Sequence, residues 1–78
     1  MSRAAPPLAR LQRGLRMVTV PFPHLAALVS AARVTLDGRV PTMGVFASGR
    51  LVANPDFVAR LDERELVFVL AHEMLHLA

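Results

Sequence analysis

Cysteine is absent from the 78 residues, which excludes disulfides, iron–sulfur clusters and thiolate zinc sites and leaves the redox compartment undefined. Lysine is absent too, so the net charge of +3 comes from nine arginines against six acids. No acid occurs over residues 1–36, which hold five of those arginines. Such a start has the composition of a transit peptide, and Leu25 to Ala32 that of a signal segment. Pro6, Pro7, Pro21 and Pro23 oppose that reading by interrupting any long amphipathic helix. The arginines are dispersed and no nucleic-acid reader motif accompanies them, so nucleic acid is not an expected partner. Long apolar runs are also missing. Leu66 to Ala71 is far short of the roughly 20 residues a membrane-spanning helix needs, and the ionisable His72, Glu73 and His76 follow it. The expectation is a soluble, cytoplasmic protein that does not engage a membrane.

Apolar side chains, in contrast, are abundant, at 54% of the chain. A polypeptide of this size buries only roughly 60–65% of the surface it exposes when unfolded. Part of the apolar surface therefore remains for a docking partner or for a missing C-terminal region of the same polypeptide.

Along the chain, Leu8, Leu11 and Leu15 share one side of a possible helix over Leu8 to Met17, with Arg10, Arg13 and Arg16 largely elsewhere. Gly14 weakens this helix, and in the domain division residues 1–14 are expected to be a loose N-terminal segment. After Pro21-Phe22-Pro23, the recurrence of Leu25, Leu28, Val29 and Ala32 predicts a helix from His24 to about Arg33. Val34 and Leu36 read as a short extended piece and Asp37-Gly38 as a turn. Val40 to Ala47 and Arg50 to Ala53 flank Ser48-Gly49, the spacing of a tight β-hairpin, and Pro41 places its first strand at an edge. Asn54-Pro55 starts a short helix with Asn54 as its cap. Asp62 and Glu65 form a D-x-x-E capping arrangement that starts a helix running from Glu63 to the chain end.

That last helix carries His72-Glu73-Met74-Leu75-His76, an H-E-x-x-H pattern. Histidines four apart lie about 40° apart around a helix, so both imidazoles can reach one metal ion. The glutamate after the first histidine lies about 100° from it, beside the metal, where it can take a proton from a metal-bound water. The reading is therefore His72 and His76 as zinc ligands and Glu73 as the catalytic base. Catalytic zinc sites use three protein ligands, and the third is absent from this chain. The apolar run Leu66 to Ala71 surrounds its helix on all sides and predicts a buried element, in which the His-Glu-His cluster would need a cation.

A chance occurrence of the pattern is the competing explanation, with the histidines bonded to carbonyls and Glu73 solvated. The cap, the apolar helix and the preceding hairpin favour the metal. Glu65 lies on the order of 10 Å along the axis from His72 and is better explained as a cap. His24, Asp37 and Asp56 are explained by turns and helix starts, and Met43 and Met74 by core packing.

The blocks Thr42-Met43-Gly44-Val45, Gly49-Arg50-Leu51, Asn54-Pro55-Asp56-Phe57-Val58 and Glu65 to His76 resemble, in order and spacing, a known family. It is the zincin-like metallopeptidase domain found N-terminal to von Willebrand factor A-like domains in bacteria. The likeness extends over about residues 15–78. It implies an α+β fold: an incomplete zincin-like domain with N-terminal helices, a β-hairpin and a C-terminal active-site helix. It also implies Zn²⁺ on His72 and His76, Glu73 as general base, and a remaining ligand downstream of His76. A peptide or protein substrate would lie along the edge strand of the hairpin. On this reading residues 1–78 are a single partial domain, a fragment inactive by itself. The alternative function is a non-enzymatic interaction module in which the His-Glu-His cluster is structural.

Overall fold

The computed structural model describes residues 5–78. Helix α1 (Pro7–Val18) is followed by a 3-10 turn (Pro23–Leu25), helix α2 (Ala26–Ala31), strands β1 (Arg33–Leu36), β2 (Met43–Val45) and β3 (Arg50–Ala53), and helices α3 (Pro55–Arg60) and α4 (Glu63–Leu77). The fold is α+β, with N-terminal helices, a three-stranded mixed sheet and a long final helix. No helix among the described residues is long and apolar enough to cross a membrane.

The sheet order is β1-β3-β2, with β1 parallel and β2 antiparallel to β3. The register aligns Val34, Leu51 and Val45 in one row and Leu36, Ala53 and Met43 in the next. Period-two alternation turns both rows to the same face. These residues pack with Leu11, Leu15 and Val18 of α1, Leu25, Val58 of α3, and Leu66, Leu70 and Met74 of α4. The architecture is thus a helical layer on one face of a small sheet.

The β2–β3 connection spans residues 46–49, with Gly49 donating to the Phe46 carbonyl at 2.9 Å and Phe46 donating to the Arg50 carbonyl at 2.9 Å. Gly49 has φ of 88°, the left-handed conformation that closes a turn of this length and suits glycine. The strand begins at Met43 instead of Val40, because residues 37–42 form a separate loop. Asn54 braces that loop: its side-chain nitrogen donates to the Val40 carbonyl at 2.9 Å while its oxygen accepts from the Phe57 amide at 3.0 Å, capping α3.

Three further expectations need correction. Residues 7–14, assigned to a loose segment, lie in α1, because Leu11, Gly14 and even Arg10 are buried; residues 1–4 of that segment lie outside the described residues. The helix expected from His24 to Arg33 ends at Ala31, since Arg33 enters β1 and donates its amide to the Gly49 carbonyl at 3.0 Å. Arg10 does not sit away from the apolar side. It is 2% exposed, and its guanidinium donates to the Val58 carbonyl at 2.7 Å and to the Leu61 carbonyl. Those carbonyls belong to the C-terminal end of α3, where a helix has unsatisfied acceptors and a partial negative charge.

In the β1–β2 loop Arg39 grips Asp37 with two side-chain hydrogen bonds, at 3.0 and 2.9 Å, and one from its backbone amide at 2.9 Å. The side-chain bonds, followed by the amide, hold the Asp37 carboxyl down to about 2 from its ordinary 3.8.

Two outcomes follow from these contacts. Arg10→Ala strands two acceptors at the end of α3 and lowers stability by about 2–3 kcal/mol in urea denaturation, because unsatisfied buried groups carry their full desolvation penalty. Because the Asp37 pKa is depressed on folding, its contribution to stability is complete above about 3.8 and disappears as pH falls towards about 2. A carbon-detected NMR titration of the carboxyl places its midpoint near 2, and Arg39→Ala returns it towards 3.8.

Candidate metal centre

The phase of α4 is set at its first turn. Glu65 donates its amide to the Asp62 carboxylate at 2.7 Å and the Glu65 side chain accepts from the Asp62 amide at 2.9 Å, so both halves of the capping box form. From there Leu66, Leu70, Ala71 and Met74 turn to the core. The helix is therefore buried on one side only, which corrects the expectation of a fully enclosed element: Phe68 is 76% exposed. His72 and His76 stand on this outer side and are exposed, while Glu73 is half-buried at its flank. A cation is not needed to make the burial of this cluster tolerable, because the histidines are not buried.

The two imidazoles nonetheless converge. Their Nε2 atoms are 3.0 Å apart, and the rings meet edge to face with centroids 4.5 Å apart. One ring donates and the other accepts in this contact, with the tautomers deciding which. Two nitrogens bound tetrahedrally to zinc at about 2.0–2.1 Å stand ~3.3 Å apart. The observed separation is within a few tenths of an ångström of that bite, a change that small side-chain rotations supply. The donor set therefore fits a divalent transition metal.

His24 packs its ring edge against Phe22, with centroids 6.1 Å apart. Among the described residues no three His, Cys, Asp or Glu side chains gather around a common point. His24, Asp37, Asp56 and Glu65 thus do not join the pair; Asp62 and Glu65 have the capping role expected of them, and Asp37 lies in a loop as expected. Glu73 is not a third donor to the point on which the histidines converge.

Strand β2, which packs beside α4, is an edge of the sheet. Thr42 accepts from Asn54 and Phe46 donates to Arg50, so the alternation of an antiparallel ladder turns the amides and carbonyls of Met43 and Val45 away from β3. Strand β2 thus offers an open edge, while the histidines stand on the side of α4 turned away from the core.

Residues 8–78 match the family described as "Putative metallopeptidase domain". The chain belongs to this metallopeptidase-domain family. No curated protein and no solved structure matches it. Membership in the metallopeptidase-domain family implies a metal and a protein substrate. It accords with a helix that presents two convergent imidazoles on its outer side.

Because both histidines are exposed, the fold does not depend on them. In the metal-free chain, His72→Ala and His76→Ala change the unfolding free energy by no more than about 0.5 kcal/mol, measured by urea denaturation.

Proposed function

We propose that this chain carries the zinc-binding and proton-transfer residues of a zinc-dependent peptidase. His72 and His76 hold the ion through Nε2, and Glu73 is the general base. The observation that carries the reading is the 3.0 Å approach of the two Nε2 atoms on the outer side of α4, within a chain that belongs to a metallopeptidase-domain family. When bound, zinc supplies Lewis acidity that polarises a peptide carbonyl and brings the pKa of a bound water to about 7.

The protein residues have distinct tasks. Each histidine gives up the Nε2–H···Nε2 contact and presents both Nε2 lone pairs outward, which puts the ring protons on Nδ1. The Glu73 carboxylate, one residue beyond His72, takes a proton from the attacking water and delivers it to the leaving amine. Its half-buried position at the helix flank leaves one side open to solvent. The outward amides and carbonyls of Met43 and Val45 can hold an extended peptide as an added strand.

Two donors hold zinc weakly and without a defined geometry. The 78-residue chain alone therefore has little or no hydrolytic activity. The other reading, a non-enzymatic interaction module, draws on the exposed Phe68 and Leu75 beside the histidines.

Zinc uptake and hydrolysis separate the two. In an extended polypeptide that joins a third ligand to this pair, equilibrium dialysis finds about one zinc per molecule, lost in His72→Ala, and Glu73→Gln retains the zinc but loses peptide hydrolysis. Absence of zinc binding there supports the interaction module. Chelator-sensitive hydrolysis by the 78-residue chain itself, abolished by Glu73→Gln, would show that two histidines suffice.

A further inference from the structure

The outer side of α4 is a ridge in which Phe68, His72 and His76 follow one another at four-residue spacing, with Leu75 beside them. Phe68 is 76% and Leu75 45% exposed. From Phe68 to His76 the ridge contains no arginine and only one charged residue, Glu73, so the chain's net charge of +3 is not concentrated there. The histidine pair has the separation of a bidentate site but no third donor among the described residues.

We infer that zinc pairs two copies of this chain through the α4 ridge, with His72 and His76 of each copy supplying the four nitrogens around one ion. The donor count carries the inference: a tetrahedral ion takes four ligands, and each copy brings two that are pre-positioned and exposed. A two-fold axis through the ion relates the two pairs, so the contact is isologous and both copies use the same ridge. That symmetry brings Phe68 and Leu75 of each copy towards the other copy's ridge, where their apolar surface is removed from water. Four protein donors leave no position for water, so the paired form is hydrolytically silent. The inference rests on the ligand assignment of the peptidase reading but does not use Glu73.

Sedimentation velocity of the 78-residue chain with zinc chloride tests it, with zinc content measured on the same samples. The expected result is a monomer of 8.5 kDa in chelator and a species of twice that mass with zinc, carrying one ion per two chains. His72→Ala and His76→Ala each remove the zinc response, and circular dichroism verifies that both remain folded. Phe68→Ser weakens the zinc-loaded dimer on the order of tenfold or more, as loss of one buried aromatic contact requires. A dimer that persists in chelator or in His72→Ala would overturn the inference. So would zinc bound one per chain to a monomer, which leaves the peptidase reading standing. No zinc uptake at all would remove the ligand assignment on which both rest.

Discussion

The close approach of α1 to α4 at Gly14 decides what the final helix can do. A Cβ built on Gly14 would lie 2.7 Å from Cδ1 of Leu70 and 3.6 Å from Cγ of Leu66. Leu70 is fully buried, so a side chain at position 14 would have to displace the end of Leu70, and its absence lets the two helices meet. This contact assigns one side of α4 to the core. Helix geometry does the rest: with Leu66, Leu70 and Met74 turned inward, His72 lies about 160° from the middle of that stripe and His76 about 120° from it. The helix presents its imidazoles outward because its leucines are committed elsewhere.

The same contact relates the local elements to one another. The capping box of Asp62 and Glu65 starts α4 immediately after α3, and Arg10 from α1 closes the C-terminal end of α3 by taking up the Val58 and Leu61 carbonyls. Asn54 links the loop after β1 to the start of α3. The segment from the hairpin to the histidines is thus tied to α1 at two places, by apolar packing and by a buried guanidinium. It presents an edge strand and the helix that carries the two histidines from one support.

What the sequence revealed were the features with local causes. The Asp62–Glu65 cap, the Asn54 cap, the turn at Gly49 and the short strands at Val34–Leu36 and Arg50–Ala53 depend on residues within a few positions of one another, and all were legible. The fold class followed from them, and the family from the likeness of the sequence blocks between Thr42 and His76. Contacts between distant segments were not. Nothing near Arg10 announces carbonyls 48 and 51 residues away, and the parallel pairing of β1 with β3 leaves no sign in either strand alone. The final helix was misread for a different reason. Phe68 and Val69 are apolar but stand outside the core stripe, so the run Leu66 to Ala71 looked buried all round. The spacing of Leu66, Leu70 and Met74 already held the better signal, since four-residue steps mark one face.

The central claim is that His72 and His76 bind a metal together through Nε2. Nitrogen-15 NMR of the histidine side chains during zinc titration tests it most directly. The account predicts that the Nε2 resonances of His72 and His76 shift together at the same zinc ratio while His24 stays in place. Equal shifts at His24, or a response at only one member of the pair, would contradict it.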